Sequence, residues 1–168
     1  MKQDSSRNVL DDSAHEWVGR SVTYDSYPVT AMDIKKYCIA VGIEDPVHLD
    51  RDAAVAAGHP HVVAPAGYHM AIRHTVPNLI PLMDLFPDGG GPDLTPPSRA
   101  SRRMAGESSM SFHSDIHAGD VITVTKTIAS LEEKVGRAGP LAFVTYDLDY
   151  RDADGRSVVT ETYVRILR

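Results

Sequence analysis

Seven consecutive residues, Gly42-Ile43-Glu44-Asp45-Pro46-Val47-His48, put an imidazole and two carboxylates into one loop. His48 is a candidate proton-transfer group, since an imidazole can act as base or acid near neutral pH. Glu44 and Asp45 are its candidate partners. Glu44 is the longer and more adaptable, and Asp45 is equally suited to capping the turn before Pro46. Further on, Val62-Val63-Ala64-Pro65-Ala66-Gly67 forms a small-residue turn that leads into a helical pattern. The N–H groups of Ala66 and Gly67 fall where a helix leaves its donors unpaired, so they can stabilise negative charge on an oxygen. Gly67 lacks a Cβ and permits close approach. Tyr68 either faces a bound substrate or packs the core.

Other side chains invite chemistry with less support. His59 and His61 flank Pro60, and His69 and His74 follow on a helical segment. No paired carboxylate motif accompanies them, so no metal site is expected. Five residues of helix turn through about 500°, which points His69 and His74 about 140° apart. His113 and His117, at a strand start and a turn, read as surface residues. Arg99, Arg102 and Arg103 make the one local basic cluster and suit a phosphate-bearing ligand, or equally balance an acidic surface. Cys38 stands within an apolar helical pattern and reads as a buried, inert thiol.

The elements that must position these groups are partly visible. Residues 1–15 are polar and read as a flexible N-terminal segment. Residues 17–28 mix valines and tyrosines with polar residues, as a short strand does. Thr30 offers an N-cap, Ile34, Tyr37, Cys38 and Val41 recur at helical spacing, and Gly42 ends that helix. Asp50 caps a second, alanine-rich helix that stops at Gly58. A third helical pattern runs through Tyr68, Met70, Ala71 and Ile72 and ends before Pro77. Residues 77–98, dense in proline and glycine, predict a long excursion or lid. From Met110 the pattern turns to β: a β-branched run over 121–128, strict alternation over 141–150, a turn at Asp152-Ala153-Asp154-Gly155 and a final strand over 157–167. The last two strands form a hairpin. Helices first and antiparallel strands after give an α+β domain with helices on one face of a sheet, a single domain over 16–168.

The chain has 168 residues, a net charge of −6, 42% apolar and 24% charged residues. That length supports one core without disulfides or structural metal. The negative charge excludes nucleic acid as an expected partner. The polar start has no apolar core of a signal peptide, and no apolar run approaches membrane-spanning length. The expectation is a soluble, cytoplasmic protein.

The ordered series Ala40 to His48, then Val63-Ala64-Pro65-Ala66-Gly67, then Arg102 to Glu107, Phe112-His113, Ala118-Gly119-Asp120 and Gly136 to Leu141 resembles the MaoC-type dehydratases. The similarity is strongest to the fatty-acid-synthase dehydratase domain and to the N-terminal half of mesaconyl-CoA-type hydratases, and it covers roughly residues 16–168. It implies a hot-dog fold, a long helix wrapped by an antiparallel sheet. It also implies a hydro-lyase acting on an enoyl or 3-hydroxyacyl thioester of coenzyme A or a carrier protein, without a cofactor.

The family's motif runs Gly-Asp-x-Asn-Pro-aliphatic-His, with the Asp and His flanking the water. Gly42, Pro46, Val47 and His48 match it. Ile43 stands at the Asp position and Asp45 at the Asn position. Hydration needs a base for water, an acid at Cα and donors for the enolate oxygen. The resemblance assigns His48 to proton transfer, with Glu44 or Asp45 in place of the missing carboxylate, and Ala66, Gly67, Tyr68, Arg99, Arg102 and Arg103 to substrate. Ile43 also fits a non-catalytic subunit of a heteromeric dehydratase, or a pocket turned to another thioester reaction such as hydrolysis, lysis or cyclisation. A homodimer is expected, or a heterodimer with a second hot-dog chain, with no nucleic-acid or membrane partner.

Overall fold

The computed structural model describes residues 8–78, 80–85 and 93–168. Two short strands, β1 (Ser21–Thr23) and β2 (Tyr27–Pro28), precede helices α1 (Ala31–Val41), α2 (Arg51–Ala56) and α3 (Tyr68–Thr75). Strands β3 (Arg103–Phe112), β4 (Val121–Gly136), β5 (Gly139–Arg151) and β6 (Ser157–Leu167) follow. The sheet runs β1-β4-β5-β6-β3, all antiparallel, with β2 also on β4.

The sheet has two unlike faces because its side chains alternate. Ile122, Val124 and Ile128 of β4 and Ala142, Val144, Tyr146, Leu148 and Tyr150 of β5 are buried. They join Ile34 and Cys38 of α1 and Tyr68 and Ile72 of α3 in one core. The opposite face carries hydroxyls, paired across strands as Ser21–Thr127 (2.7 Å) and Thr23–Thr125 (2.9 Å). A helix laid on one face of an antiparallel sheet is the hot-dog arrangement. The central helix α3 is short, however, eight residues rather than long. Val76 keeps a helical backbone (φ −57°, ψ −42°), and the chain runs on into a single 3-10 turn, Val76–Asn78, in which Pro77 supplies no N–H to extend the α-helical ladder.

Local signals hold where a cap is involved. The Thr30 side chain accepts from the Asp33 N–H, and Gly42 closes α1 with φ 76°. The Asp50 side chain accepts from the Ala53 N–H at the start of α2. Cys38 is buried and burial raises its pKa, as suits an inert thiol. The β5–β6 hairpin turns where Asp152 accepts from the N–H groups of Asp154 (3.0 Å) and Arg156 (2.9 Å).

Three features differ from the sequence reading. The packed chain begins earlier: Val9, Leu10 and Ala14 are buried, and Glu133 accepts from the Val9 and Leu10 N–H groups at 2.7 and 3.0 Å. Only residues 1–7 of the expected flexible segment fall outside the described residues. Residues 12–17 form a 3-10 helix ahead of β1 and β2. Within 77–98, residues 79 and 86–92 fall outside the description, while Asp93 and Leu94 are tied into the sheet by Lys126, Arg165 and Tyr146.

Candidate functional site

The loop after α1 is built by its own backbone. The Ile43 N–H returns to the Cys38 carbonyl at 2.9 Å, which turns the chain sharply at Gly42. Ile43 then packs half-buried at the margin of the core. Asp45 caps the single 3-10 turn Pro46–His48, accepting from the Val47 N–H at 3.0 Å. Its carboxylate serves the cap, and it is exposed, as is Glu44.

His48 closes that turn half-buried, with Nδ1 at 2.8 Å from the Val63 carbonyl oxygen. A carbonyl only accepts, so Nδ1 carries the hydrogen. In the neutral ring the Nε2 lone pair is then the free one. That is the tautomer a base at Nε2 requires.

The segment bearing Val63 is fixed from three sides. The Val63 N–H reaches the Val47 carbonyl at 3.4 Å, the Ala64 N–H the Ile116 carbonyl at 2.7 Å, and the Ala118 N–H the Val62 carbonyl at 2.9 Å. At Gly67 the backbone adopts φ 95°, and a Cβ there would lie 2.8 Å from Tyr37 Oη. Glycine is therefore required twice, by conformation and by space. The Tyr68 N–H bonds the Pro65 carbonyl at 3.0 Å. The N–H groups of exposed Ala66 and of Gly67 meet no protein acceptor among the described residues.

Both loops fall inside a region that a family model matches. A profile of the FAS1-like dehydratase domain region matches residues 16–161. The chain belongs to the FAS1-like dehydratase family. It is 33% identical over 143 residues to a UPF0336 protein of Clavibacter michiganensis, covering 84% of this chain and 86% of that one. It is 32% identical over 160 residues to a probable enoyl-CoA hydratase alpha subunit of Thermomonospora curvata, covering 90% of this chain but 49% of that protein. The chain thus spans about half the length of that relative. Among solved structures, the HadBC (3R-hydroxyacyl-ACP dehydratase) complex of Mycobacterium tuberculosis shares the fold at TM-score 0.69 and 19% identity, covering 89% and 96% of the two chains. The (R)-hydratase of A. caviae shares it at TM-score 0.63 and 16% identity, covering 88% and 94%.

Against this FAS1-like dehydratase background, the other sequence-nominated residues separate. Tyr68 is 1% exposed, its ring edge-on to Tyr37, and its Oη has no hydrogen-bond partner of good geometry. Burial, and after it neighbouring Tyr27, pushes its pKa above the usual tyrosine range. Arg102 and Arg103 lie at the start of β3, where the Arg102 and Arg168 backbones pair. Arg99 is near them and pairs with Asp11 at 3.3 Å. The 113–120 connection that supports Val63 leaves from the other end of β3, about 30 Å away at strand rise. Within one chain the structure does not bring the arginines to His48. His69 is buried and His74 exposed, as their spacing predicts. A solvent-open trough of about 530 Å³ on the hydroxyl face of the sheet contains none of the nominated residues.

Sequence reasoning missed the polar interior beneath α3. Glu161 is wholly buried, bound by Arg73 at 2.6 Å and by the Tyr150 hydroxyl at 2.9 Å. His69 stands 4.0 Å from it, edge-on to Phe112 and Tyr150. Burial lowers the His69 pKa, and Glu161 only partly opposes this, so the ring is neutral. Alongside, Asp93 binds Lys126, Tyr24 and Arg165. Burial alone would raise Asp93, but Lys126 and Arg165 outweigh it and hold the carboxyl at about 2. Burial lowers Lys126 to about 8. The signal lay in the alternation: Lys126 interrupts the apolar face of β4, and Glu161 and Arg165 interrupt that of β6.

Proposed function

We propose that this chain is a hydro-lyase acting on an enoyl or 3-hydroxyacyl thioester of coenzyme A or a carrier protein. His48 transfers the proton at Nε2, and the N–H groups of Ala66 and Gly67 receive the thioester oxygen. The carrying observation is the His48 Nδ1 contact to the Val63 carbonyl, which leaves Nε2 as the basic nitrogen. As base, Nε2 takes a proton from water while its oxygen adds at Cβ. The electron pair of the double bond moves toward the thioester oxygen, and Cα is then protonated. The second proton-transfer group in this reading is Glu44, since Asp45 is committed to the cap. Arg99, Arg102 and Arg103 are assigned to ligand phosphate, best served across a dimer in which a second hot-dog chain presents that edge.

The test is hydration of a panel of enoyl-CoA and enoyl-carrier substrates by wild type, His48→Ala and Glu44→Gln. A turnover loss of at least about 100-fold in His48→Ala supports the reading, as expected for a general acid–base group. Unchanged turnover in His48→Ala refutes it.

Ile43 favours a second reading. With no carboxylate at that position and Asp45 engaged, the chain is instead the non-catalytic subunit of a heteromeric dehydratase. A relative named as an alpha subunit supports this reading, and the HadBC dehydratase complex shares the fold. Inactivity of the purified chain, with activity restored by a hot-dog partner whose own Asp–His pair is intact, selects it.

A further inference from the structure

Three side chains that stand apart in sequence converge beside the Val63 segment. His59 follows α2, where its N–H bonds the Ala54 carbonyl at 3.0 Å. Asp115 and His117 belong to the connection between β3 and β4. His59 Nδ1 lies 3.4 Å from His117 Nε2 and 3.7 Å from Asp115 Oδ2. The three ligating atoms all fall within 4.8 Å of one another.

We infer that His59, His117 and Asp115 form a binding site for a divalent transition-metal ion of the zinc class. Two imidazoles and one carboxylate, with a position left for water, are a ligand set that such ions take. Bonds of about 2.05 Å at tetrahedral angles separate neighbouring ligand atoms by about 3.3 Å, and the observed spacings need little adjustment. As a hydrogen bond between ring nitrogens, 3.4 Å is long. Lone pairs of two rings and a carboxylate that converge on one point repel one another until a ring N–H hydrogen or a metal cation lies among them.

The scaffold is built beforehand. Val63 and His117 form a β-bridge, and the Ala64–Ile116 and Ala118–Val62 backbone bonds flank it, so both ligand loops are pinned together before any ion arrives. Asp120 supplies the outer support. It accepts from the His117 N–H at 2.7 Å and holds Oδ2 3.9 Å from His117 Nδ1, the ring nitrogen that faces away from the cluster. A carboxylate there favours the tautomer whose Nε2 is free to ligate. His61 is not part of the site, because its Nδ1 accepts from the Val62 N–H at 2.7 Å. A bound ion would clamp the α2 loop to the β3–β4 connection on either side of Val63, the residue that orients His48. The site stands independently of the hydro-lyase reading.

The test uses the full chain after treatment with a chelator, dialysed against Zn²⁺ and analysed for metal content, and titrated with Co²⁺ under visible absorption. One Zn²⁺ per chain is expected, with Co²⁺ ligand-field bands of four-coordinate intensity. His59→Gln and His117→Gln should each lose affinity by more than about tenfold, and Asp120→Asn by about tenfold, as outer-shell changes do. His61→Ala should bind as wild type. Melting of the metal-free variants at the wild-type temperature shows that they fold. Less than stoichiometric Zn²⁺ in the wild type, or equal binding in His59→Gln and His117→Gln, overturns the site.

Discussion

Replacing Asp93 by Asn keeps the size of the side chain and removes the charge that Lys126 and Arg165 share. The Asp93 carboxyl, held at about 2 against an ordinary 3.8, favours its charged form in the fold. At 1.36 kcal/mol per unit that preference contributes about 2.4 kcal/mol. Its removal leaves Lys126 and Arg165 in the interior, with only 4% and 15% of their side chains exposed. Breaking a buried pair in this way costs about 3–5 kcal/mol. Lys126 has a partial escape, because its pKa is already down to about 8 and falls further without Asp93, so it sheds its proton. Arg165 has none, since its pKa lies above the usual range. The expected loss at neutral pH is therefore near the lower limit, about 3 kcal/mol, or a Tm decrease of about 6–12 °C. Urea unfolding followed by circular dichroism measures it. The deficit should shrink between pH 6.5 and 9 as Lys126 discharges, and Lys126→Met in the Asp93→Asn background should restore at least about 1 kcal/mol. In the wild type, the Asp93 contribution is complete above pH 3.8 and disappears as pH falls toward 2. The cost of a charged Lys126 is full below pH 8 and relieved as pH rises toward 10.5. A loss under about 1 kcal/mol, or one equal at both pH values, refutes the coupled network.

Further outcomes separate structural from chemical roles. Asp45→Asn keeps an N-cap acceptor and should retain stability and turnover, while Asp45→Ala should lose about 1 kcal/mol in a thermal melt; inactivity of Asp45→Asn would make the carboxylate a proton carrier. Gly67→Ala should cost about 1–3 kcal/mol through its positive φ and the Tyr37 contact, and Tyr37→Phe should recover only the contact; a variant as stable as wild type contradicts this. Because burial depresses the His69 pKa, its contribution is present above pH 6.5 and lost as pH falls below it. His69→Phe should flatten stability between pH 7 and 5, and an unaltered slope would show that His69 does not titrate there.

Much of the frame was legible because its signals are local. Thr30, Gly42, Asp50 and Asp152 act through atoms a few residues away, so residue type and spacing were sufficient. The hairpin was legible for the same reason, with one face of β5 apolar at every second position. β3 was not: nearly all its side chains are exposed and it includes Gly106, whose added Cβ would lie 2.9 Å from the Val164 carbonyl oxygen. A strand that exposes its side chains and needs a glycine for close backbone approach carries no alternation. Val9 and Leu10 were missed because two apolar residues in a polar stretch gain meaning only when Glu133 receives their N–H groups from more than a hundred residues away.

The candidate site divides along the same line. His48 could be nominated from its loop, but its tautomer depends on Val63, which is positioned by Ile116 and Ala118. Asp45 shows the opposite limit. A carboxylate two residues from Ile43 looks in sequence like a replacement for the missing acid, yet the chain spends it on the Val47 N–H. The same holds for the histidines. His59, beside His61, invited a metal site within one segment, and the absence of a neighbouring carboxylate argued against it. In the fold His61 turns to its own backbone, and the carboxylate arrives from Asp115, across a β-bridge, together with His117. Ligand sets built from two loops depend on strand register rather than sequence spacing. The same Val63 bridge decides both the tautomer of His48 and the convergence of His59 with His117.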